Sequence, residues 1–103
     1  MQITINNKEY KVKYTIRALF IFEQIAGKSF EVKSLLDQYL FFYSMILANN
    51  SENPLSWDDF IDAIDNDKTL TEQLNKLVSE YQEKDNLFED NEKIEDNDTS
   101  KKN

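Results

Sequence analysis

Leu35 to Ala48 reads Leu-Leu-Asp-Gln-Tyr-Leu-Phe-Phe-Tyr-Ser-Met-Ile-Leu-Ala, in which only Asp37, Gln38 and Ser44 are clearly polar. A helix lying on a protein surface needs one apolar stripe. Here the apolar residues run nearly all the way round. Such a helix has to be covered on several sides, and a chain of 103 residues has few elements with which to do it. Two arrangements meet that demand. Either the segment is the central helix of a small bundle, or part of its surface is reserved for a partner.

Tyr39, Phe41, Phe42 and Tyr43 sharpen the choice. Side chains so close together point in every direction around a helix. Core packing accounts for two or three of them, but not for all four. The remainder is expected to face a second layer, a dimer partner or another protein. Trp57 has two readings: a staple between a loop and the bundle core, which is preferred, or an exposed anchor of the kind enriched at binding hot spots. These five residues are the partner-binding candidates.

Length fits one domain, placed at residues 1–86, followed by an acidic tail at 87–103. A domain this small buries only roughly 60–65% of the surface its unfolded chain exposes, so its stability is expected to be modest. Aromatic content of 13% offsets this, since each buried ring removes about 150–250 Å² from water. The chain has no Cys and no His. Disulfides, thiolate metal sites and Ser-His or Cys nucleophiles therefore cannot be built. No pattern points to a carboxylate-only enzyme, and neither catalytic nor cofactor or metal residues are expected. The N-terminus lacks a basic region followed by an apolar one, so no signal peptide is read. The longest apolar run, Tyr39 to Ala48, is interrupted by Ser44 and falls far short of the roughly 20 residues of a membrane span. A soluble protein of the cytoplasm, with no membrane partner, is expected.

The net charge of −8 is uneven. Residues 1–28 set Lys8, Lys11, Lys13, Arg17 and Lys28 against Glu9 and Glu23, a net of +3, leaving −11 for the rest. A basic footprint marks nucleic-acid binders. Lysines solvating exposed strand faces are the simpler account here, and no nucleic-acid partner is expected.

Ile3, Ile5, Tyr10, Val12 and Tyr14 alternate with polar residues, the period of strands. Asn6-Asn7-Lys8 supplies turn chemistry, because Asn tolerates positive φ. The reading is a hairpin of Gln2–Ile5 and Glu9–Tyr14, with Thr4, Asn6, Glu9, Lys11 and Lys13 on the wet side. A lone hairpin is marginal in water, so it must dock on a helix. Thr15 reads as an N-cap, and Ile16, Leu19, Phe20, Phe22, Glu23 and Ile25 follow at helical spacing. Gly27, the only glycine, reads as the left-handed residue closing that helix.

The central helix is placed at about Lys33 to Ala48, and Asn49 to Pro54 reads as a loop. Ser56 caps a short helix from Trp57 to about Asp65, with Asp58 and Asp59 in its first turn, where the dipole favours anions. After a break at Asn66-Asp67-Lys68, Thr69 or Thr71 restarts a helix to about Lys84. Leu70, Leu74, Leu77, Val78 and Tyr81 line one face of it. From Asp85 the periodicity ends, and the composition of the tail cannot repay its ordering entropy. The expected class is α+β: an N-terminal β-hairpin packed on a small bundle of about four helices.

Three motifs tempt and fail. Gly27-Lys28-Ser29 looks like the end of a phosphate-binding loop, but Phe22 stands where that loop needs its first glycine, and the helix is closing rather than opening. Asp65 to Thr69 resembles the start of a calcium loop, but Leu70 and Lys76 occupy the positions that demand Gly and Glu. Asn49-Asn50-Ser51 and Asn97-Asp98-Thr99 match a glycosylation pattern that means nothing without secretion.

One resemblance carries further. Ile3-Thr4-Ile5-Asn6-Asn7-Lys8-Glu9-Tyr10, then Tyr14 to Leu19, then Phe22-Glu23-Gln24-Ile25-Ala26-Gly27-Lys28-Ser29 form a hairpin, an immediate helix with an aromatic-Glu pair, and a helix end at Gly-Lys-Ser. This pattern resembles the tail assembly chaperones of long-tailed phages and prophages. The apolar middle helix, Trp57-Asp58-Asp59-Phe60 and the acidic end are similar in plan, so the resemblance spans about residues 1–88. It implies a non-enzymatic protein of the bacterial host cytoplasm that binds the tape measure protein. That long, largely helical chain would be kept soluble until tail tube subunits assemble round it. In that family a longer frameshifted form often recruits the tube protein. Surplus aromatic surface on the central helix suits helix-in-groove recognition. An acidic shell disperses the loaded complex, and repeated weak contacts along one client add by avidity. A homo-oligomer is compatible with the same surface. The alternatives are a small structural phage protein, such as a tail completion or connector subunit, and an acidic inhibitor that mimics nucleic acid.

Overall fold

A computed structural model describes residues 1–81. The acidic tail, the end of the last helix near Lys84 and the domain boundary at 86 lie outside the described residues. The fold is α+β: a two-stranded antiparallel hairpin followed by four helices.

Strand β1 (Gln2–Ile5) pairs with β2 (Lys8–Lys11) in the register Ile5↔Lys8 to Gln2↔Lys11. The loop is Asn6-Asn7 alone, with φ of 53° and 65°. Positive φ at both central residues is what a two-residue hairpin loop of primed type requires, and Asn reaches that region more cheaply than most residues. Lys8 therefore belongs to the second strand rather than to the turn. That strand also ends at Lys11, short of the expected Tyr14. Beyond it the Val12 N–H still donates to the Met1 carbonyl at 2.9 Å. Alternation nevertheless holds to Lys13. Ile3, Ile5, Tyr10 and Val12 are buried, while Thr4, Asn6, Glu9, Lys11 and Lys13 face water.

Helix α1 (Ile16–Ala26) starts at Thr15, whose hydroxyl accepts from the Ala18 N–H at 3.1 Å. It stops at Gly27, with φ of 71° and its N–H bonded to the Glu23 carbonyl. Helix α2 (Leu35–Asn49) begins two residues later than expected, because Ser34 caps it. Ser34 Oγ accepts from the Asp37 N–H at 3.0 Å, and the Asp37 carboxylate accepts from the Ser34 N–H at 3.2 Å. This reciprocal box satisfies two donors that the first turn leaves without partners. Ser-x-x-Asp ahead of an apolar run is its sequence signature.

Helix α3 (Trp57–Asn66) is capped by Ser56 through the Asp59 N–H at 3.1 Å. A fourth helix, α4, runs from 68 through 81. Asp67 serves both: its N–H closes α3 on the Ala63 carbonyl, and its carboxylate accepts from the N–H and hydroxyl of Thr69 at 3.0 and 2.6 Å. One residue thus turns the chain between two helices without a loop.

The core gathers round α2. Six consecutive residues, Phe41 to Ile46, are buried. The hairpin's inner residues, Ala18 and Phe22 of α1, Leu55, Phe60 of α3, and Leu70, Leu74 and Leu77 of α4 complete one cluster with them. The Ser44 hydroxyl buried in that run donates to the Leu40 carbonyl at 2.7 Å, so it costs little. At the far end, Asn50 accepts from the Lys11 N–H at 3.0 Å and donates to the Lys11 carbonyl at 2.7 Å. Asn49 donates to the Lys13 carbonyl at 3.0 Å. The residues expected to open a loop instead clamp the hairpin to the end of α2.

Candidate docking surface

The five aromatic candidates fall into three ring groups, and most of them face inward. Phe41 stands edge-on to Tyr14 and to Phe30, with ring centroids at 5.8 and 5.0 Å. Phe42 is 1% exposed and meets Tyr39 edge-to-face at 5.5 Å. Tyr43 lies edge-on to Trp57 at 5.2 Å and beside Phe60 at 5.5 Å. Its hydroxyl donates to the Leu55 carbonyl at 2.6 Å, and burial pushes its pKa up, so it stays a neutral donor. Trp57 is half-buried and staples the start of α3 to α2. Tyr39 is half-buried too, its hydroxyl 3.3 Å from that of Thr71 on α4.

Of the four rings on the central helix, Phe41, Phe42 and Tyr43 are buried and Tyr39 is half-buried. The physical reason is the number of layers. Hairpin, α1, α3 and α4 all pack on α2, so every direction in which its middle turns point already has a neighbour. Tyr39 alone keeps an open side. It borders a shallow groove of about 580 Å³ with Ile64, Asp65, Lys68, Thr71 and Glu72.

Surplus apolar surface exists, but one element away. Ile16, Phe20 and Ile25 of α1, Val32 in the α1–α2 connection, and Leu35 and Leu36 of α2 are exposed, with Leu35 at 71%, Ile16 at 64% and Phe20 at 60%. The inward face of α1 is Ala18 and Phe22, flanked by half-buried Leu19 and Ala26. Ile16 and Phe20, one turn apart, share an outward stripe. Ile25, Val32, Leu35 and Leu36 all lie where α1 ends and α2 begins. The signal for this was present on α1, where apolar residues occupy more of the circumference than a single stripe.

The tip that carries these side chains is firmly built. Phe30 stands edge-on to Phe22 at 5.1 Å, and its N–H donates to Glu23 at 2.8 Å. Asp37, 5% exposed, accepts on one carboxylate oxygen from Lys28 Nζ at 2.7 Å and the Lys33 N–H at 3.0 Å, besides Ser34. The Lys28 ammonium chiefly, then the Lys33 and Ser34 amides, hold the carboxyl at about 2, below its ordinary 3.8, against the opposing pull of burial. Leu35 and Leu36 are thus presented to solvent by an anchored turn. Among the described residues no group of three or more His, Cys, Asp or Glu is placed to hold a metal ion, and no helix is long and apolar enough to cross a membrane.

No protein-family model, curated protein or solved structure matches this chain.

Proposed function

We propose that this chain is a non-enzymatic binding chaperone of a long-tailed phage or prophage. It holds the tape measure protein soluble in the host cytoplasm until tail tube subunits assemble round it. The observation that carries the reading is the exposure of six large apolar side chains on α1, its connection to α2 and the start of α2, in a domain whose central helix buries Phe41 to Ile46. A chain this short gains nothing in its own stability by leaving Leu35, Ile16 and Phe20 in water, since burial of each is worth about 1.5–3 kcal/mol. Grouped exposure of this kind marks a surface used by another molecule. An amphipathic helix is the occupant such a surface suits. The sequence pattern of the first 30 residues supports the choice of client.

Co-expression with the long coiled-coil protein of the neighbouring gene tests it. The client is expected to be soluble with the wild-type chain and insoluble with Phe20→Asp or Leu36→Asp variants that keep the wild-type melting temperature. A client equally insoluble with and without this chain overturns the reading. Absence of the chain from mature particles separates an assembly factor from a structural subunit.

A further inference from the structure

We infer that the outward stripe of α1 takes an amphipathic helix whose own apolar face is flanked by carboxylates. The inference rests on the reading of this surface as a client site and adds the chemistry of the segment that docks there. Shape comes from the stripe. Ile16 and Phe20 are exposed and stand one turn apart, about 6 Å along the axis. A helix lying along α1 repeats its own anchors at the same rise, so apolar residues four apart on the occupant meet Ile16 and Phe20 in step.

Sign comes from the charges beside the stripe. The acids near the exposed apolar surface are already engaged. Glu23, on the turn after Phe20, accepts from the Phe30 N–H at 2.8 Å. Glu31 pairs with Lys33 at 3.4 Å, and Asp37 with Lys28 at 2.7 Å. The bases at the start of the stripe are not engaged. Arg17 is exposed and lies three residues before Phe20, which makes the two neighbours on the helix surface. Lys13, also exposed, stands just ahead of the helix. Neither forms an ion pair among the described residues. An occupant with Asp or Glu beside its stripe gives Arg17 the planar, two-oxygen partner that suits a guanidinium. A lysine-flanked helix sets like charges against each other at the same place.

The wider distribution of charge agrees. Residues 1–28 carry a net +3, and in residues 29–36 Glu31 and Lys33 cancel. Residues 37–81 hold nine acidic side chains against Lys68 and Lys76, a net of −7. On α3 alone stand Asp58, Asp59, Asp62 and Asp65. An acidic helix is repelled there and attracted at α1, so the charge pattern steers it to the apolar stripe. The total of −8 taken by itself favours a basic ligand. At about 0.15 M salt, however, charges are screened beyond a Debye length of about 8 Å. The side chains that touch the occupant, not the sum over the chain, then decide the preference.

Two synthetic amphipathic helices test this on the full-length chain. Both carry the same leucine stripe and the same neutral outer face, with glutamates beside the stripe in one and lysines in the other. Fluorescence anisotropy at physiological salt reads their affinities. The glutamate-flanked helix is expected to bind about tenfold tighter. Arg17→Glu is expected to remove that preference, and Lys13→Glu to reduce it from outside the helix. Phe20→Ser should weaken both peptides alike. All three positions are exposed, so each variant should keep the wild-type melting temperature. A preference for the lysine-flanked helix overturns the inference, as does a glutamate preference that neither charge reversal changes. Either result leaves the client surface standing, because a helix still docks on it. Binding of neither peptide, or binding that Phe20→Ser does not weaken, overturns the inference and counts against α1 as the docking surface as well.

Discussion

Phe42→Ala and Phe20→Ala remove the same atoms from two helices and should have opposite consequences. Phe42 is 1% exposed, stands edge-on to Tyr39 and sits in the middle of the helix on which every other element packs. Truncating a buried Phe costs about 3–5 kcal/mol, through lost transfer energy and the cavity left behind. The 81 described residues are worth in total roughly 4–12 kcal/mol at the usual stability per residue. The substitution therefore consumes about a quarter of the stability at least, and all of it at the lower end. At about 4–8 °C per kcal/mol, the melting temperature falls by some 12–40 °C. Phe20 is 60% exposed, so its truncation is expected to stay within about 0.5 kcal/mol of wild type. Trp57 reports both. It is the only Trp, half-buried against Tyr43 and Phe60, so its emission shifts when α3 leaves α2. Guanidinium titrations followed at that fluorophore compare the midpoints. A Phe42→Ala midpoint equal to wild type, or a Phe20→Ala loss as large as that of Phe42→Ala, would refute the assignment of inward and outward faces.

Gly27→Ala is expected to cost about 1–2 kcal/mol, although nothing lies within 4 Å of an added Cβ. The penalty is the backbone φ of 71° alone, so a D-alanine installed there by chemical synthesis should not show it. Asp37 is held below its unfolded value, so its contribution is fully present above about pH 4 and is lost as pH falls toward 2. Acid titrations of the wild type and Asp37→Asn should accordingly converge near pH 2, and parallel curves across that window would contradict the role given to Lys28. Asn50→Ala unpairs both the N–H and the carbonyl of Lys11. About 1–2 kcal/mol of stability should be lost, since each bond is solvent-accessible, and the Lys11 amide should exchange hydrogen faster while the Ile5 amide changes little.

Local chemistry made much of the fold legible. Thr15, Ser56 and Gly27 mark helix ends because side-chain oxygens and a residue free to adopt positive φ act within one turn of where they stand. The hairpin was legible for the same reason: Asn6 and Asn7 are adjacent, and the alternation of Ile3, Ile5, Tyr10 and Val12 needs no information from elsewhere. The candidate site was less so. Which of Tyr39, Phe41, Phe42 and Tyr43 stays partly open was not legible, because their spacing shows how many directions they take, not how many neighbours await them. Asn49 and Asn50 read as loop because their partners, Lys11 and Lys13, lie more than thirty positions away.

The amino-acid order by itself determined which segments are strands and helices, and that the apolar content exceeds a single stripe on two of the helices. Only the tertiary structure decided where the excess is exposed. A helix with greasy side chains all round has no preferred orientation of its own. Four layers closing on α2 enclosed its rings, and α1, covered from one side only, was left to hold Ile16 and Phe20 in water.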